Sequence, residues 1–573
     1  SKRLREFPVQ QLPYDVKLSE DERTLIVTNW GGRNVGDDEP KEQTGNTMIA
    51  ADAHGGAASG TVSVIQRESG AVKSVPIGIH PCAIVLKADT AYIANAAEDN
   101  ITVFSVSEAK VTRTIPIKWG KMNLFGSMPN ALALNGNTLY VANGGDNAIA
   151  EVDIPSGTVK GFRGVGYYPV GIALSSDGKT AYVVNTKGNG STRRTTKGEA
   201  GNTHDFQGTV SVVDLNADLA KATLQVVKNN HWERDRQALN PDLEVYKGAI
   251  QHVLYIIKEN RTYDQVFGDL PQGNGDAKLC DLGRNITPNA HNIVEQFTLF
   301  DNAYTSGTNS ADGHTWSTQS IANDYLEHFY TGYRTYPDDG DCAMAMSSTG
   351  TLWEKALQKG KTFRDYGEYA DDELAVFTPT VKSWLEVWKD RQSGKHRIQT
   401  SVNTRVASLR PYLHPHVVYW PLFQSDQQRA DLFIGDYTRL SRENKVPNLM
   451  ILTLPCDHTE GRDPAYPKPQ SMVADNDLAL GRVVEAVSHS PEWKNTCIFG
   501  IEDDSQSGYD HVDGHRTVYM ALSPYTKRKY VSHEMNTTVS MVRSIEKMLG
   551  LAPMNRFDAL TPPITDCFTN TPD

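Results

Sequence analysis

A fourfold repeat in the first 215 residues limits the fold of this chain more than any other feature. In each copy a proline opens an apolar stretch, a turn follows, and an alternating strand ends in asparagine, as in PNALALNGNTLYVAN and PVGIALSSDGKTAYVVN. A second alternating strand follows each copy, such as GTVSVI from Gly60. Period-two alternation between turn residues predicts antiparallel strands, and a repeat of roughly 40 to 50 residues is typical of propeller blades. The N-terminal part is therefore predicted to be an all-β propeller.

The four copies end at asparagines, and the strings IAN, VAN and VVN close three of them: the positions are Asn29, Asn95, Asn143 and Asn185. In order and content the copies resemble the YVTN family of β-propellers. Because propeller blades of surface proteins often serve attachment, this resemblance implies a protein or surface partner. Four blades are the lower limit for a closed propeller. We therefore expect either diverged strands within residues 216–250 to close the ring, or further blades upstream of Ser1.

From Gln251 onward the sequence combines apolar runs with helical stretches, a pattern typical of an α/β domain. The apolar runs HVLYIIKEN, NLMILTLP and TCIFGIEDD predict buried parallel strands, and stretches such as ADNDLALGRVVEAVSHS predict helices beside them. Each of these strands ends in carboxylates or histidine, which is how an open α/β sheet presents a site. We predict a multidomain chain with blades in residues 1–245 and an α/β domain in residues 246–573.

The polar residues at the predicted strand ends form the candidate site. They are Glu259 and Asn260 after the first strand, Asp457 and His458 after the second, and Asp503, Asp504, His511 and His515 after the third. Crowded carboxylates repel one another, and a divalent cation is the usual way to stabilise them. A mixed set of histidine and aspartate favours zinc, iron or manganese over magnesium. The pattern therefore predicts a metal site.

Ser310 lies in a Gly/Asn-rich turn just before a predicted helix, so a helix N-terminus could face an anion bound at its hydroxyl. Coordination to a metal is one of the few ways to activate a serine that has no neighbouring base. Position alone fits an N-cap serine better than a nucleophile.

Residues 251–570 resemble the bacterial phosphoesterase family that includes non-specific phospholipases C and acid phosphatases, a branch of the alkaline phosphatase superfamily. Its ENR-x-x-D opening is present at Glu259, and its EDD-x-x-x-G-x-DHVD-x-HR tail starts at Glu502. The string NSADGH resembles the NSEVGH of cofactor-independent phosphoglycerate mutases, which puts the superfamily nucleophile on Ser310. The resemblance implies an alkaline-phosphatase-like fold.

The resemblance also implies a mechanism. Ser310 attacks phosphorus and forms a phosphoseryl intermediate, with one or two divalent ions, zinc favoured and manganese, iron or calcium as alternatives. The implied metal ligands are Glu259, Ser310, Asp457, His458, Asp503, Asp504 and a late histidine, which is His511 or His515. His515 is favoured as the ligand because a predicted strand follows it directly and a strand start holds a side chain rigidly. The implied catalytic residues are Ser310, His511, Asn260 and Asn323, the last from its position alone. The substrate class is a small-molecule or lipid phosphate ester, either a monoester or a diester.

Two other functions compete with this hypothesis. A sulfatase or phosphonate hydrolase of the same superfamily is one, but SADGH lacks the Pro and Arg of the sulfatase motif. A cell-surface binding protein with a degenerate hydrolase domain is the other. Net charge of -12 and a pI near 5.8 disfavour nucleic-acid binding. No apolar run is long enough to span a membrane, and the chain fits an exported protein of the periplasm, cell surface or medium.

Overall fold

The computed structural model describes residues 5–120, 123–191, 201–234, 239–329, 342–506 and 508–573. The N-terminal part consists of antiparallel sheets, each formed by one copy of the sequence repeat and the strands around it. Blade one consists of β1 (Gln11–Leu18), β2 (Thr24–Gly32), β5 (Gly60–Gln66) and β6 (Val72–Ile77), with an inserted hairpin of β3 (Lys41–Thr44) and β4 (Thr47–Ala50). Blade two consists of β7 (Pro81–Lys87), β8 (Thr90–Asn95), β9 (Asn100–Ser105) and β10 (Lys110–Pro116).

Blades three and four complete the N-terminal part. Blade three consists of β11 (Pro129–Asn135), β12 (Thr138–Asn143), β13 (Ala148–Asp153) and β14 (Thr158–Gly164). Among the described residues, blade four has three strands, β15 (Tyr167–Leu174), β16 (Thr180–Gly188) and β17 (Thr209–Asp214). The described part of residues 216–250 supplies no strand, because helix α1 (Leu219–Asn229) packs on β14 there.

The blades form an open arc. The first strand of each blade packs on the first strand of the next, so that β1 contacts β7, β7 contacts β11 and β11 contacts β15. Among the described residues no comparable contact joins β15 to β1. The repeat therefore produces a propeller-like arrangement whose ring is not closed by its own blades.

The C-terminal part is an α/β domain built on a five-stranded sheet. Its strands, in the order across the sheet, are β21 (Phe363–Tyr366), β24 (Leu449–Leu454), β18 (His252–Lys258), β25 (Thr496–Glu502) and β26 (Tyr519–Leu522). The first four are parallel and β26 is antiparallel at the edge. This order of an all-β part and an α/β part confirms the predicted fold class.

Helices cover both faces of the sheet. The helices described in this domain are α2 (Tyr263–Phe267), α3 (Pro288–Gln296), α4 (Ser310–Gln319), α5 (Asp324–Phe329), α6 (Leu352–Gln358), α7 (Trp384–Gln392), α8 (Asp426–Arg442), α9 (Pro469–Ser488), α10 (Thr538–Leu549) and α11 (Arg556–Leu560). Short strands complete the domain: β19 (Thr298–Phe300), β20 (Ala303–Tyr304), β22 (Val376–Thr378), β23 (Gln399–Ser401), β27 (Tyr530–Ser532) and β28 (Asn536–Thr537).

The central strand β18 is apolar from Val253 to Ile257 because both of its faces are buried. Tyr255 and Ile257 belong to the core on one side of the sheet, and Leu254 and Ile256 to the core on the other side. The rigid strand therefore fixes the residues that follow it, and the first of these is Glu259.

Helix α5 of the α/β domain lies at the centre of the arc and contacts all four blades. The Asp324 carboxylate accepts hydrogen bonds from Asn130 Nδ2 of blade three at 3.0 Å and Tyr168 OH of blade four at 2.8 Å. Cys82 Sγ of blade two lies 3.5 Å from the same carboxylate, and Tyr325 packs on Trp30 of blade one. The α/β domain therefore fills the axis of the arc with the helix that follows α4.

Candidate active site

The candidate site lies at the carboxyl edge of the central sheet. Glu259 directly follows β18, and Asp503 and Asp504 directly follow β25. Since the ends of neighbouring parallel strands meet at one edge, these three carboxylates converge. All three are buried, at 1% exposure or less.

Ser310 is the first residue of α4, and the sequence explains why the helix begins there. Asn309 is the N-cap, and Asp312 completes a capping box with it. Ser310 Oγ lies 3.0 Å from Asp504 Oδ2 and 3.2 Å from Glu259 Oε2. The serine hydroxyl therefore lies between two carboxylates at a helix N-terminus.

Asn260 is next to the serine. Its Nδ2 donates towards Ser310 Oγ at 3.5 Å, and its backbone has a positive φ of 79°. Asparagine tolerates this left-handed region better than most residues. This turn directs the Asn260 amide towards Ser310. Asn260 Oδ1 is buried without a hydrogen-bond partner among the described residues.

His314 lies one helical turn after Ser310 and bridges the carboxylates. Its Nε2 is 2.9 Å from Glu259 Oε1 and 3.6 Å from Asp503 Oδ2, and its Nδ1 is 3.0 Å from Glu368 Oε1. Although burial opposes the charge, Glu368 and Glu259 raise the pKa of His314 well above its ordinary value. Without a metal the imidazole therefore supplies positive charge between carboxylates.

Glu259, His314 and Asp503 fit a metal ion. One ligand atom from each lies within 4.8 Å of the others. Both Asp503 carboxylate oxygens are buried without a hydrogen-bond partner among the described residues. Burial and the negative charges of Glu259 and Asp504 raise the pKa of Asp503 well above its ordinary value. A cation that binds this mixed histidine and carboxylate set would satisfy these orphaned oxygens.

The structure places Asp457 beside an ammonium group. Asp457 Oδ2 lies 2.7 Å from Lys258 Nζ, which also lies 2.6 Å from Glu502 Oε1. Asp457 Oδ1 accepts hydrogen bonds from the Glu259 backbone N–H at 3.1 Å and from Asn476 Nδ2 at 3.2 Å. Both Asp457 oxygens are thus occupied by groups of the chain itself, and the residue holds the turn that carries Glu259.

His458 lies outside the group of Glu259, His314 and Asp503. Its Nε2 is 3.0 Å from Gln506 Nε2, and its ring packs edge-on against Trp420. The backbone N–H of Gln506 donates to Asp504 Oδ1. His458 therefore contacts the loop that follows Asp504, and its ring does not join Glu259, His314 and Asp503.

His511 belongs to a second charged group, with Asp264 and Asp510. Its Nδ1 lies 2.7 Å from Asp264 Oδ2. Arg516 occupies the same group, with Nη2 2.9 Å from Asp264 Oδ1 and 3.0 Å from Asp510 Oδ2. The buried guanidinium already supplies the positive charge that a metal would bring.

His515 lies at the boundary between the two parts of the chain. Its Nδ1 is 2.9 Å from Ser191 Oγ of the arc and 3.1 Å from Asp513 Oδ1. The side chain lines an interdomain cavity of about 680 Å³. The structure therefore brings His515 to the arc and does not group it with Glu259, His314 and Asp503.

Asn323 has a structural environment. Its Nδ2 donates to the Met344 carbonyl at 2.8 Å, and its Oδ1 accepts the Leu326 backbone N–H at 3.1 Å. The amide caps the start of α5 and ties it to the chain at residue 344. The Asn323 amide N–H group that would donate to a phosphate oxygen thus donates to a backbone carbonyl instead.

Three residues of the site were missed as candidates by sequence reasoning: His314, Glu368 and Tyr419. His314 follows Ser310 by four residues, which puts both on neighbouring turns of one helix. This spacing is a sequence signal that could have identified His314. Glu368 follows β21, and Tyr419, which hydrogen-bonds to Glu259 Oε1, lies in a loop before α8. No motif distinguishes these two in the sequence.

Comparisons with known proteins identify the C-terminal domain. A model described as the Phosphoesterase family matches residues 277–552, which include Ser310, Asp457, Asp503 and Asp504. Glu259 lies upstream of the matched segment. No curated protein matches the chain.

Solved structures show only remote likeness. Hydrazine synthase of Kuenenia stuttgartiensis is 18% identical over 37% of this chain and 48% of that chain, with a TM-score of 0.25. A functionally unknown protein of Desulfotomaculum acetoxidans is 15% identical over 37% of this chain and 59% of that chain, with a TM-score of 0.23. A protein in the alkaline phosphatase superfamily from Vibrio parahaemolyticus is 14% identical over 56% of this chain and 72% of that chain, with a TM-score of 0.35. The chain thus spans between about half and three fifths of the first two proteins, and the family assignment rests on the family model.

The matched segment carries Ser310 and the carboxylates that follow β25. Residues 277–552 therefore match the Phosphoesterase family, and this match supports a hydrolase domain for phosphate esters within the chain.

Proposed function

We propose that this domain is a metal-dependent phosphoesterase in which Ser310 is the nucleophile. The observation that carries the proposal is the position of Ser310 Oγ, 3.0 Å from Asp504 Oδ2 and 3.2 Å from Glu259 Oε2 at the N-terminus of α4. The N-terminus of a helix attracts the negative charge of a phosphate group. A phosphate ester bound there would present its phosphorus to the serine oxygen.

Asp504 is the proposed base. Burial and the negative charge of Glu259 raise the pKa of Asp504 to about 6, so the group can accept a proton near neutral pH. Asp504 Oδ2 takes the hydroxyl proton as Ser310 Oγ forms a bond to phosphorus. The bond from phosphorus to the leaving oxygen breaks, and the leaving oxygen takes a proton from solvent. Water then attacks the phosphoserine, and its protons stay with the released phosphate or pass to solvent. The bond from phosphorus to Oγ breaks, and Asp504 returns its proton to Ser310 Oγ.

The proposed metal ligands are Glu259, His314 and Asp503, with zinc favoured and manganese, iron or calcium as alternatives. A bound cation would stabilise the negative charge that develops on the attacking and leaving oxygens. Asn260 Nδ2, which points towards Ser310 Oγ, is placed to donate a hydrogen bond to a phosphate oxygen. The Lys258 ammonium group neutralises Asp457 and Glu502 beneath the site. The carboxylates that remain for a cation are those of Glu259 and Asp503.

The proposed substrate is a small-molecule or lipid phosphate ester, as a monoester or a diester. In the described part of the chain, no helix has the length and hydropathy needed to cross a bilayer. Export to the periplasm, cell surface or medium, and a protein or surface partner of the arc, remain predictions.

The test is hydrolysis of p-nitrophenyl phosphate and bis-p-nitrophenyl phosphate by the purified full chain, before and after chelation and after metal is restored. We expect Ser310→Ala to lower turnover by at least about a thousandfold. Ser317→Ala is the matched control, because it makes the same substitution in the same helix. Near-normal turnover by Ser310→Ala, or full activity in chelated protein free of metal by elemental analysis, would contradict the proposal.

A further inference from the structure

Each junction between neighbouring blades of the arc uses the same positions of the repeat. At the junction of blades three and four, Tyr140 and Ala142 on β12 pack with Ile172 and Leu174 on β15. One blade thus presents the aromatic and small residues of its second strand, and the next blade presents the aliphatic residues of its first strand. We call these two surfaces the presenting face and the receiving face.

Blade four has a presenting face that no part of the described chain covers. The repeat aligns TAYVVN of β16 with TLYVAN of β12, so Tyr182 and Val184 are the equivalents of Tyr140 and Ala142. Tyr140 is 6% exposed and Ala142 0%, whereas Tyr182 is 44% and Val184 47% exposed. The same sequence positions are therefore buried at an internal junction and exposed at the end of the arc.

The adjacent strand extends this apolar surface. Val212 pairs with Tyr182 and Val210 pairs with Val184, so the four side chains share one side of the sheet. Val210 is 59% and Val212 68% exposed. A contiguous apolar patch of this kind is typical of an interaction site.

Blade one has the complementary receiving face. The repeat aligns PYDVKLS of β1 with PVGIALS of β15, so Val16 and Leu18 are the equivalents of Ile172 and Leu174. Val16 is 54% and Leu18 42% exposed. The two ends of the arc thus carry the two halves of the junction that already joins blades three and four.

We propose that the presenting face of blade four packs on the receiving face of blade one of a second copy of this chain. The partner is a second copy because one molecule holds both halves of a junction that is already formed three times within it. Such a contact is heterologous, since different surfaces of the two copies meet, and it can repeat from one copy to the next. This association is independent of the phosphoesterase chemistry.

The experiment uses two single variants of the full chain, Val212→Asp on the presenting face and Val16→Asp on the receiving face. Both side chains are more than half exposed, so the folded chain should tolerate each substitution. Val111→Asp is the matched control, on blade two and away from both end faces. Circular dichroism and melting temperature establish that each variant is folded.

Sedimentation velocity over roughly 1 to 100 µM, the range suited to a small interface, measures association. We expect wild type and Val111→Asp to form dimers and longer species as concentration rises, and each end variant alone to stay monomeric. A mixture of the two end variants should form a dimer that grows no further, because Val212→Asp keeps its receiving face and Val16→Asp keeps its presenting face.

Three results would overturn the proposal. The first is a wild-type chain that stays monomeric over the whole range, and the second is end variants that associate as the wild type does. The third is a mixture of the two end variants that stays monomeric although the wild type associates. Association of one end variant by itself would indicate a contact between like faces.

Discussion

At the scale of single residues, His314 is the side chain that contacts carboxylates from three strands of the candidate site. Its Nε2 reaches Glu259 from β18 and Asp503 from β25, while its Nδ1 hydrogen-bonds to Glu368 after β21. One imidazole on α4 thus joins the ends of three strands. A hydrogen bond from Nδ1 to a carboxylate is the usual way to orient a histidine that binds metal through Nε2.

We expect His314→Ala to lower metal affinity by more than the roughly 10- to 100-fold that loss of an outer partner costs. Elemental analysis after dialysis against a defined metal concentration measures this effect. The matched controls are His458→Ala and His515→Ala, which should keep their metal because neither ring lies with Glu259 and Asp503. Metal loss in His515→Ala but not in His314→Ala would assign the ligand to His515, the histidine that the sequence analysis favours.

The pKa of Asp504 predicts how the metal-free protein responds to pH. Burial and the charge of Glu259 raise this pKa from 3.8 to about 6, so the folded state holds a proton that the unfolded state has lost. The stability contributed by this proton is present below pH 3.8 and is lost as pH rises through about 6. Restored metal should reverse the effect, because a cation stabilises the charged carboxylate.

The comparison is urea unfolding of chelated wild type and Asp504→Asn between pH 4 and 7. The free energy of unfolding of wild type should fall relative to the variant by at most about 3 kcal/mol over this range. The exposed Asp38→Asn is the control for a charge change without burial. Parallel pH profiles for wild type and Asp504→Asn would refute the assignment.

Residues whose environment is local were predictable from the sequence, and residues whose environment depends on tertiary contacts were not. Glu259 and Asp503 follow parallel strands, and Ser310 begins a helix, so motif and strand pattern together indicated their proximity. Asp457 faces Lys258 and His515 faces Ser191, a residue of the arc 324 positions away in the sequence. No local pattern encodes such partners.

At the scale of elements, helix α5 joins the catalytic domain to the arc. Asp324 accepts hydrogen bonds from two blades, and its carboxylate is 1% exposed. The blades themselves were predictable because each repeats an alternating pattern of strand residues. A helix such as α5, with six residues, has too few positions for a periodic signal, so its place on the axis of the arc was not predictable.

We expect Asp324→Ala to lower the free energy of unfolding by about 2 to 4 kcal/mol, because it leaves Tyr168 OH and Asn130 Nδ2 buried without an acceptor. Asp324→Asn, which keeps one carbonyl oxygen, should cost less. Urea denaturation measures both, with Asp38→Asn as an exposed control. Equal stability of Asp324→Ala and wild type would show that α5 does not hold the arc.

At the scale of the whole molecule, buried charges connect the two parts at separate places. Arg556 Nη2 donates to the Gly126 carbonyl at 2.6 Å and pairs with Asp146 of blade three. Lys187 Nζ of β16 lies 2.8 Å from Glu327 Oε2 of α5. Breaking a buried ion pair leaves an uncompensated charge, so separation of the parts is costly.

We therefore expect one cooperative transition in differential scanning calorimetry, with the calorimetric enthalpy equal to the van't Hoff enthalpy. Arg556→Ala should lower the transition temperature or divide the transition into two. A wild-type chain with two separate transitions, of which only one shifts when metal is added, would show that the two parts unfold independently.

The position of α5 on the axis of the arc has a consequence for biosynthesis. Asp324 follows Tyr168 by 156 residues, so a ribosome adding about 5 to 20 residues per second delivers it roughly 8 to 30 seconds after the last blade has begun to emerge. During that interval Asn130 and Tyr168 lack the Asp324 carboxylate that accepts their hydrogen bonds in the folded chain. An arc with an open side lets the nascent helix enter laterally, whereas a ring closed during translation would have to reopen to admit it.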